Sequence, residues 1–191
     1  SDTLANAAAE QGLNLAEIET RLTELQNSKA ENPEEYWVNA TYPEIIDHIL
    51  VRYHQRHREQ LQELIVLADR VESVHGDRED CPIGVAAELR NVYEDLSNHM
   101  MKEEHVLFPM IKAGNYMMAQ MPIRMMEMEH AEHGEHLDVL KSLTNNMTPP
   151  ADACNTWRAL YSGIQEFADD LMMHIHRENN ILFPRVIAEN H

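Results

Sequence analysis

From residue 43 onward the chain carries four stretches in which core-type positions return every three or four residues, the spacing that lines one face of an α-helix. The first, about Pro43–Val74, has the stripe Leu50, His54, His57, Leu61, Leu64, Ala68, Val71 and His75. The second, about Ile83–Lys112, has Leu89, Val92, Leu96, His99, Glu103, Val106 and Met110. The third, about Pro122–Leu143, has Ile123, Met126, His130, His133, Leu137 and Leu140. The fourth, about Asp152–Ala188, has Trp157, Leu160, Ile164, Phe167, Leu171, His174, Glu178 and Ile181. Gly76-Asp77, Gly114-Asn115 and the run Asn145–Pro150 separate them, as helix-ending and turn residues do. A stripe near 3.5 residues favours shallow crossing angles. Four such helices with short connections predict an all-α, up-down-up-down four-helix bundle.

Ahead of the bundle, residues 3–11 and 15–26 predict two short helices, the second with Leu15, Ile18, Leu22 and Leu25 on one face. Residues 27–41 read as a linker. The chain thus divides into a short N-terminal helical segment with its linker, 1–38, and a bundle domain, 39–191.

Each apolar stripe is interrupted by His or Glu. A buried imidazole or carboxylate costs several kcal/mol unless it is paired or bound to a metal. Two interruptions belong to one repeated motif. Residues 99–109 and 174–184 each have a His, a Glu four residues later (His99/Glu103, His174/Glu178) and Leu-Phe-Pro at the end. Positions i and i+4 share a helix face, so each copy aims an imidazole and a carboxylate the same way. At 1.5 Å per residue, His54 lies roughly 33 Å, and His99 and Glu103 roughly 26–32 Å, from the same bundle end. The next turn returns His130 beside them, and the longer loop before the fourth helix lets His174 and Glu178 reach the layer. His75 is roughly 30 Å from His54 and falls at the bundle end. On the first helix His57 is either an outer partner behind a ligand or the alternative to His54, and His133 is a further candidate one turn after His130. Four imidazoles and two carboxylates able to bridge fit a non-haem di-iron or di-manganese site. A structural zinc site would take four ligands and often Cys.

Composition narrows the function classes. Asp and Glu number 33 against 15 Lys and Arg, a formal net charge of −18. That disfavours nucleic acid and anionic membrane as partners. No apolar run is long enough to span a bilayer, and no leader pattern opens the chain. The two Cys, Cys81 and Cys154, have neither metal-knuckle nor disulfide-framework spacing, which suits a reducing cytoplasm. The Met-rich run 117–128 reads as packing and loop filling.

Taken together, Glu44–His54, Val74-His75-Gly76, His99–Glu104, Leu107-Phe108-Pro109, Glu129-His130, Thr148-Pro149-Pro150, Cys154–Trp157 and Glu178–Pro184 resemble the iron–sulfur cluster repair di-iron proteins, whose bundle is hemerythrin-like. The resemblance spans nearly all of 40–188. It implies two Fe ions, carboxylate- and oxo- or hydroxo-bridged, on His54, His99, Glu103, His130, His174 and Glu178. It further implies a cytoplasmic stress-response protein, monomer or homodimer. Its partners would be damaged iron–sulfur proteins or cluster scaffold proteins. Its activity would be iron donation, or binding and reduction of nitric oxide, the second being the enzymatic option. The family also has an N-terminal domain with adjacent cysteines. Residues 1–26 resemble the tail of that domain, and no Cys-Cys pair occurs in these 191 residues. The alternative is a hemerythrin-type module that reversibly binds oxygen or nitric oxide. A ferritin-like oxidase would use more carboxylates than imidazoles.

Overall fold

A computed structural model describes residues 33–191. Residues Tyr42–His191 form one compact unit, and the described residues 33–41 belong to another. In the latter, helix α1 spans Pro33–Asn39, where the sequence predicted linker. Proline at its first position and Glu34 and Glu35 in its first turn suit a helix start. The helices predicted at 3–11 and 15–26 lie outside the described residues.

The larger unit is built from four helical rods. The first runs 42–75 as α2 (Tyr42–His48), a π-helical turn Ile49–Gln55 and α3 (Arg56–His75). The second runs 85–112 as α4 (Val85–Lys102), a π turn Glu103–Leu107 and α5 (Phe108–Lys112). The third is the unbroken α6 (Tyr116–Leu143). The fourth runs 155–188 as α7 (Asn155–His176), a π turn Arg177–Leu182 and α8 (Phe183–Ala188). Among the described residues there is no strand. The first rod packs against the second and fourth, and the third against the second and the end of the fourth. This is the up-down-up-down bundle.

The turns follow from local chemistry. Gly84 sits at φ 101°, in the left-handed region that glycine enters without strain, and starts α4. Gly114, at φ 77°, ends the second rod. The third rod therefore starts at Tyr116, directly after that turn, and Pro122 lies inside it rather than at its start as the sequence predicted. Asn145, Asn146 and Met147 all have positive φ and turn the chain before Pro149 and Pro150.

The apolar core fills the half of the bundle towards the 76–84 and 144–154 connections. Leu61, Leu64, Val71, Leu89, Val92, Leu96, Leu137, Leu140, Trp157, Leu160, Ile164 and Phe167 are buried together there. The stripes fail at the π turns. Val106, predicted inward, is 45% exposed, and Met110 is only partly buried; Leu107, Phe108 and Ile111 point inward instead. In the first rod Ile49 and Tyr53 are buried and Leu50 only partly. A π turn adds one residue to the turn and so rotates everything after it.

Candidate metal centre

The interruptions do meet. His54, His99, Glu103, His130, His174 and Glu178 are each at most 4% exposed. Their ligating atoms fall into two overlapping groups that could each hold an ion: His99, Glu103, His130 and Glu178 in one, His54, Glu103 and His174 in the other. Glu103 is common to both. His54 Nε2 and His99 Nε2 lie 3.3 and 3.1 Å from Glu103 Oε1. His130 Nε2 and His174 Nε2 lie 3.4 and 2.8 Å from Glu178 Oε1.

Those close approaches are not hydrogen-bonded pairs. Both oxygens of Glu103, both of Glu178, and Nε2 of His54 and of His174 are buried without a hydrogen-bond partner. Native proteins rarely leave such atoms orphaned. His99 Nε2 and His130 Nε2 face each other at 3.1 Å. That is about the separation of two imidazole nitrogens at right angles on one ion, each about 2.1 Å from it. Lone pairs aimed at shared points rather than at donors are what a cation needs.

Electrostatics point the same way. Burial pushes His99 down to about 4 and lowers His54, so both imidazoles are neutral at pH 7 and keep a free lone pair. Burial, and next the charge of Glu178, hold the Glu103 carboxyl well above its ordinary value. Two carboxylates this close and this dry need positive charge between them.

Each of these four imidazoles is held at its other nitrogen by a neighbouring rod. His54 Nδ1 lies 3.1 Å from Glu104, which Arg58 also grips at 2.6 Å. His99 Nδ1 lies 3.1 Å from Glu129, itself bonded to Lys102. His130 Nδ1 lies 2.7 Å from Asn179 Oδ1. His174 Nδ1 lies 3.1 Å from His57 Nε2. The support runs round the bundle: second rod to first, third to second, fourth to third, first to fourth. Such outer partners fix ring orientation and tautomer. Sequence reasoning missed Glu104, Glu129 and Asn179, although each adjoins a ligand in the chain (Glu103, His130, Glu178) and backs a ligand of another helix. His57, expected from the sequence as an outer partner or as the alternative to His54, takes the outer position, behind His174. His133 packs edge-on to His99 at 4.8 Å and is in neither group. His75 is at the bundle end beside Trp157, with Nε2 3.2 Å from Cys154 Sγ. Tyr53 stacks on His174 at 5.4 Å, whereas Tyr93 bonds Gln62 away from the site.

The repeated motif now has a local explanation. After each Glu the helix widens, and Phe108 N–H and Phe183 N–H donate to the carbonyls of Glu103 and Glu178, five residues back. Phe108 then stacks on His54 at 5.7 Å and Phe183 on His130 at 6.1 Å. Pro109 and Pro184 follow in the first turn of α5 and α8, where the missing N–H is tolerated.

Known proteins share this pattern. The hemerythrin HHE cation binding domain matches residues 45–186. A probable iron-sulfur cluster repair protein of Haemophilus influenzae is 68% identical over 183 residues, 96% of this chain and 82% of that protein. The iron-sulfur cluster repair protein YtfE of Musicola paradisiaca is 55% identical over 186 residues, 97% of this chain and 82% of that protein. YtfE of Escherichia coli is 56% identical over 187 residues, 97% of this chain and 83% of that protein. The chain therefore belongs to the hemerythrin HHE cation binding family and, within it, to the iron-sulfur cluster repair proteins.

Proposed function

We propose that the chain holds two iron ions and restores iron–sulfur clusters damaged by nitric oxide or oxidative stress. His99 and His130 would hold one ion and His54 and His174 the other, with Glu103 and Glu178 supplying the carboxylates between them. The observation that carries the reading is the set of orphaned buried lone pairs converging on two overlapping groups. The names of its relatives supply the repair role. Iron held there would supply a donatable metal and a place for a diatomic ligand such as nitric oxide. The chain's own residues orient four imidazoles through Nδ1, wall the site with Phe108 and Phe183, and balance ionic charge with two carboxylates. Two unpaired cysteines suit work in a reducing cytoplasm. Among the described residues no helix is long and apolar enough to cross a membrane.

The test is iron stoichiometry and transfer. Protein produced in iron-replete medium should carry two irons per chain and an oxo-bridged absorption band. His99→Ala and Glu178→Leu should lose both, and the loaded protein should rebuild clusters in a nitric oxide-treated iron–sulfur protein. Unchanged iron content in either variant would refute the ligand set. Reversible oxygen binding with no iron transfer would replace repair by a carrier role.

A further inference from the structure

Three of the four ligand imidazoles lean directly on a carboxylate or an amide. His174 does not. Behind it stands a buried chain of side chains that ends near the surface. His174 Nδ1 is 3.1 Å from His57 Nε2, and His57 Nδ1 is 3.4 Å from Gln60 Oε1. Gln60 Nε2 donates to Asp170 Oδ2 at 2.9 Å, and Arg52 Nη2 donates to Asp170 Oδ1 at 2.8 Å. His57, Gln60, Asp170 and His174 are all buried.

Only one arrangement of protons satisfies this chain with Asp170 ionised. A carboxylate accepts and cannot donate. The Gln60 amide must therefore turn its NH2 to Asp170 and its carbonyl to His57. His57 must then carry its proton on Nδ1 and offer a bare Nε2 to His174. His174 in turn must carry its proton on Nδ1, which leaves the Nε2 lone pair facing Glu178 and the site. The opposite order would put a proton on His174 Nε2, which an ion would have to displace before it could bind there.

We propose that Arg52, Asp170, Gln60 and His57 act as positioning residues that lock His174 in its ligating tautomer. This rests on the reading of the cluster as a two-ion site. The lock explains why a second, non-ligating histidine sits one turn beyond His54. A neutral imidazole can accept from His174 at one nitrogen and donate to Gln60 from the other. It also explains a buried glutamine in the ligand half of the first rod.

Asp170→Asn tests this without changing side-chain volume. The introduced amide would keep its carbonyl towards Arg52 and turn its NH2 to Gln60. That flips the Gln60 amide and reverses each proton as far as His174. The double variant Asp170→Asn/Gln60→Glu moves the carboxylate one step inward. The carboxylate introduced there accepts from both sides, which restores the original order. Two readouts are taken on the full chain. Proton–nitrogen NMR of the metal-free protein assigns which His174 nitrogen carries the proton. Anaerobic titration with Fe(II), and separately Co(II), gives stoichiometry and affinity.

Wild type is expected to show Nδ1–H and two ions. Asp170→Asn is expected to show Nε2–H, and one of the two ions should bind roughly 10–100-fold more weakly, the usual effect of losing an outer partner. The double variant should return both readouts to within a few-fold of wild type. The proposal is overturned if Asp170→Asn keeps Nδ1–H and wild-type affinity for both ions, or if the double variant does no better than the single. If wild type itself binds no ions, the two-ion reading fails, and the NMR assignment alone decides the tautomer lock.

Discussion

Replacing Glu103 by Leu should make the metal-free protein more stable while destroying the site. Glu103 is fully buried, and both its oxygens lack hydrogen-bond partners. Each unsatisfied buried polar atom costs about 1–3 kcal/mol, so the two together cost about 2–6 kcal/mol. Leucine removes both and adds apolar contact with Phe108 and its neighbours. Against this, His54 and His99 lose their 3.3 and 3.1 Å neighbour, at about 1–2 kcal/mol. The mid-values leave a net gain of about 2.5 kcal/mol. For a unit of 150 residues, about 2–4 °C of Tm accompanies each kcal/mol, so Tm of the metal-free form should rise by about 5–10 °C.

With Fe(II) present the order should invert. Ligand binding to the native state stabilises by RT ln(1 + [L]/Kd), about 4 kcal/mol at a thousandfold excess over Kd. Wild type should gain this at its two sites and Glu103→Leu should gain almost none. Calorimetry of both proteins, with chelator and with saturating Fe(II) under nitrogen, reads all four states. If Glu103→Leu melts below wild type in chelator, the orphaned carboxylate is not a stored cost. If it still shifts fully with Fe(II), Glu103 is not a shared ligand.

Two further outcomes separate the scaffold from the site. Ile164, fully buried in the apolar half, should cost about 2–5 kcal/mol on truncation to Ala, with two irons still bound per folded chain; loss of iron at unchanged stability would contradict the division of the bundle. His136 ties the third rod to the second, with Nδ1 2.5 Å from Glu88 and Nε2 2.8 Å from Asp95. Burial opposes its protonation, but the two carboxylates outweigh this and raise its pKa. A raised folded pKa gives stability that is full below the unfolded value of about 6.5 and lost as pH rises through the folded value. His136→Gln should therefore lower the stability read from urea unfolding at about pH 6, by about 1 kcal/mol for a partly buried pair screened on its Asp95 side, and leave it unchanged at about pH 9. An equal loss at both pH values would refute the ion-pair account.

The sequence made the His–Glu layer legible because its polar residues share one helical phase with the apolar core up to the site. His54, His99, Glu103, His130, His174 and Glu178 could be brought to one level by counting residues from the turns. Beyond Glu103 the same phase misled, placing Val106 and Met110 inward. A π turn leaves no compositional mark, since it changes only which carbonyl accepts which N–H. What did mark it was the repeat of Leu-Phe-Pro, which has no meaning on a continuous α-helix. The outer partners were illegible for another reason. Glu104 and Glu129 look like any charged residue on a helix, and only the bundle's neighbour order shows that each reaches across to a ligand of the adjacent rod.

That cross-support bears on how a bound metal ion could leave. No rod orients its own ligand, so the site's geometry depends on the bundle closing. Closure is driven elsewhere, by Leu64, Leu89, Leu96, Trp157, Ile164 and their neighbours, none of which is a ligand. The π turns, where backbone regularity is given up, cluster instead at His54, Glu103 and Glu178. Departures from regular backbone persist only where the surroundings over-determine them, and they concentrate at functional sites. A scaffold that folds on its apolar half keeps its imidazoles aimed whether or not the ions are present. Losing an ion then costs the binding energy alone and not the fold as well, which is the condition a protein must meet to give up a metal and accept another.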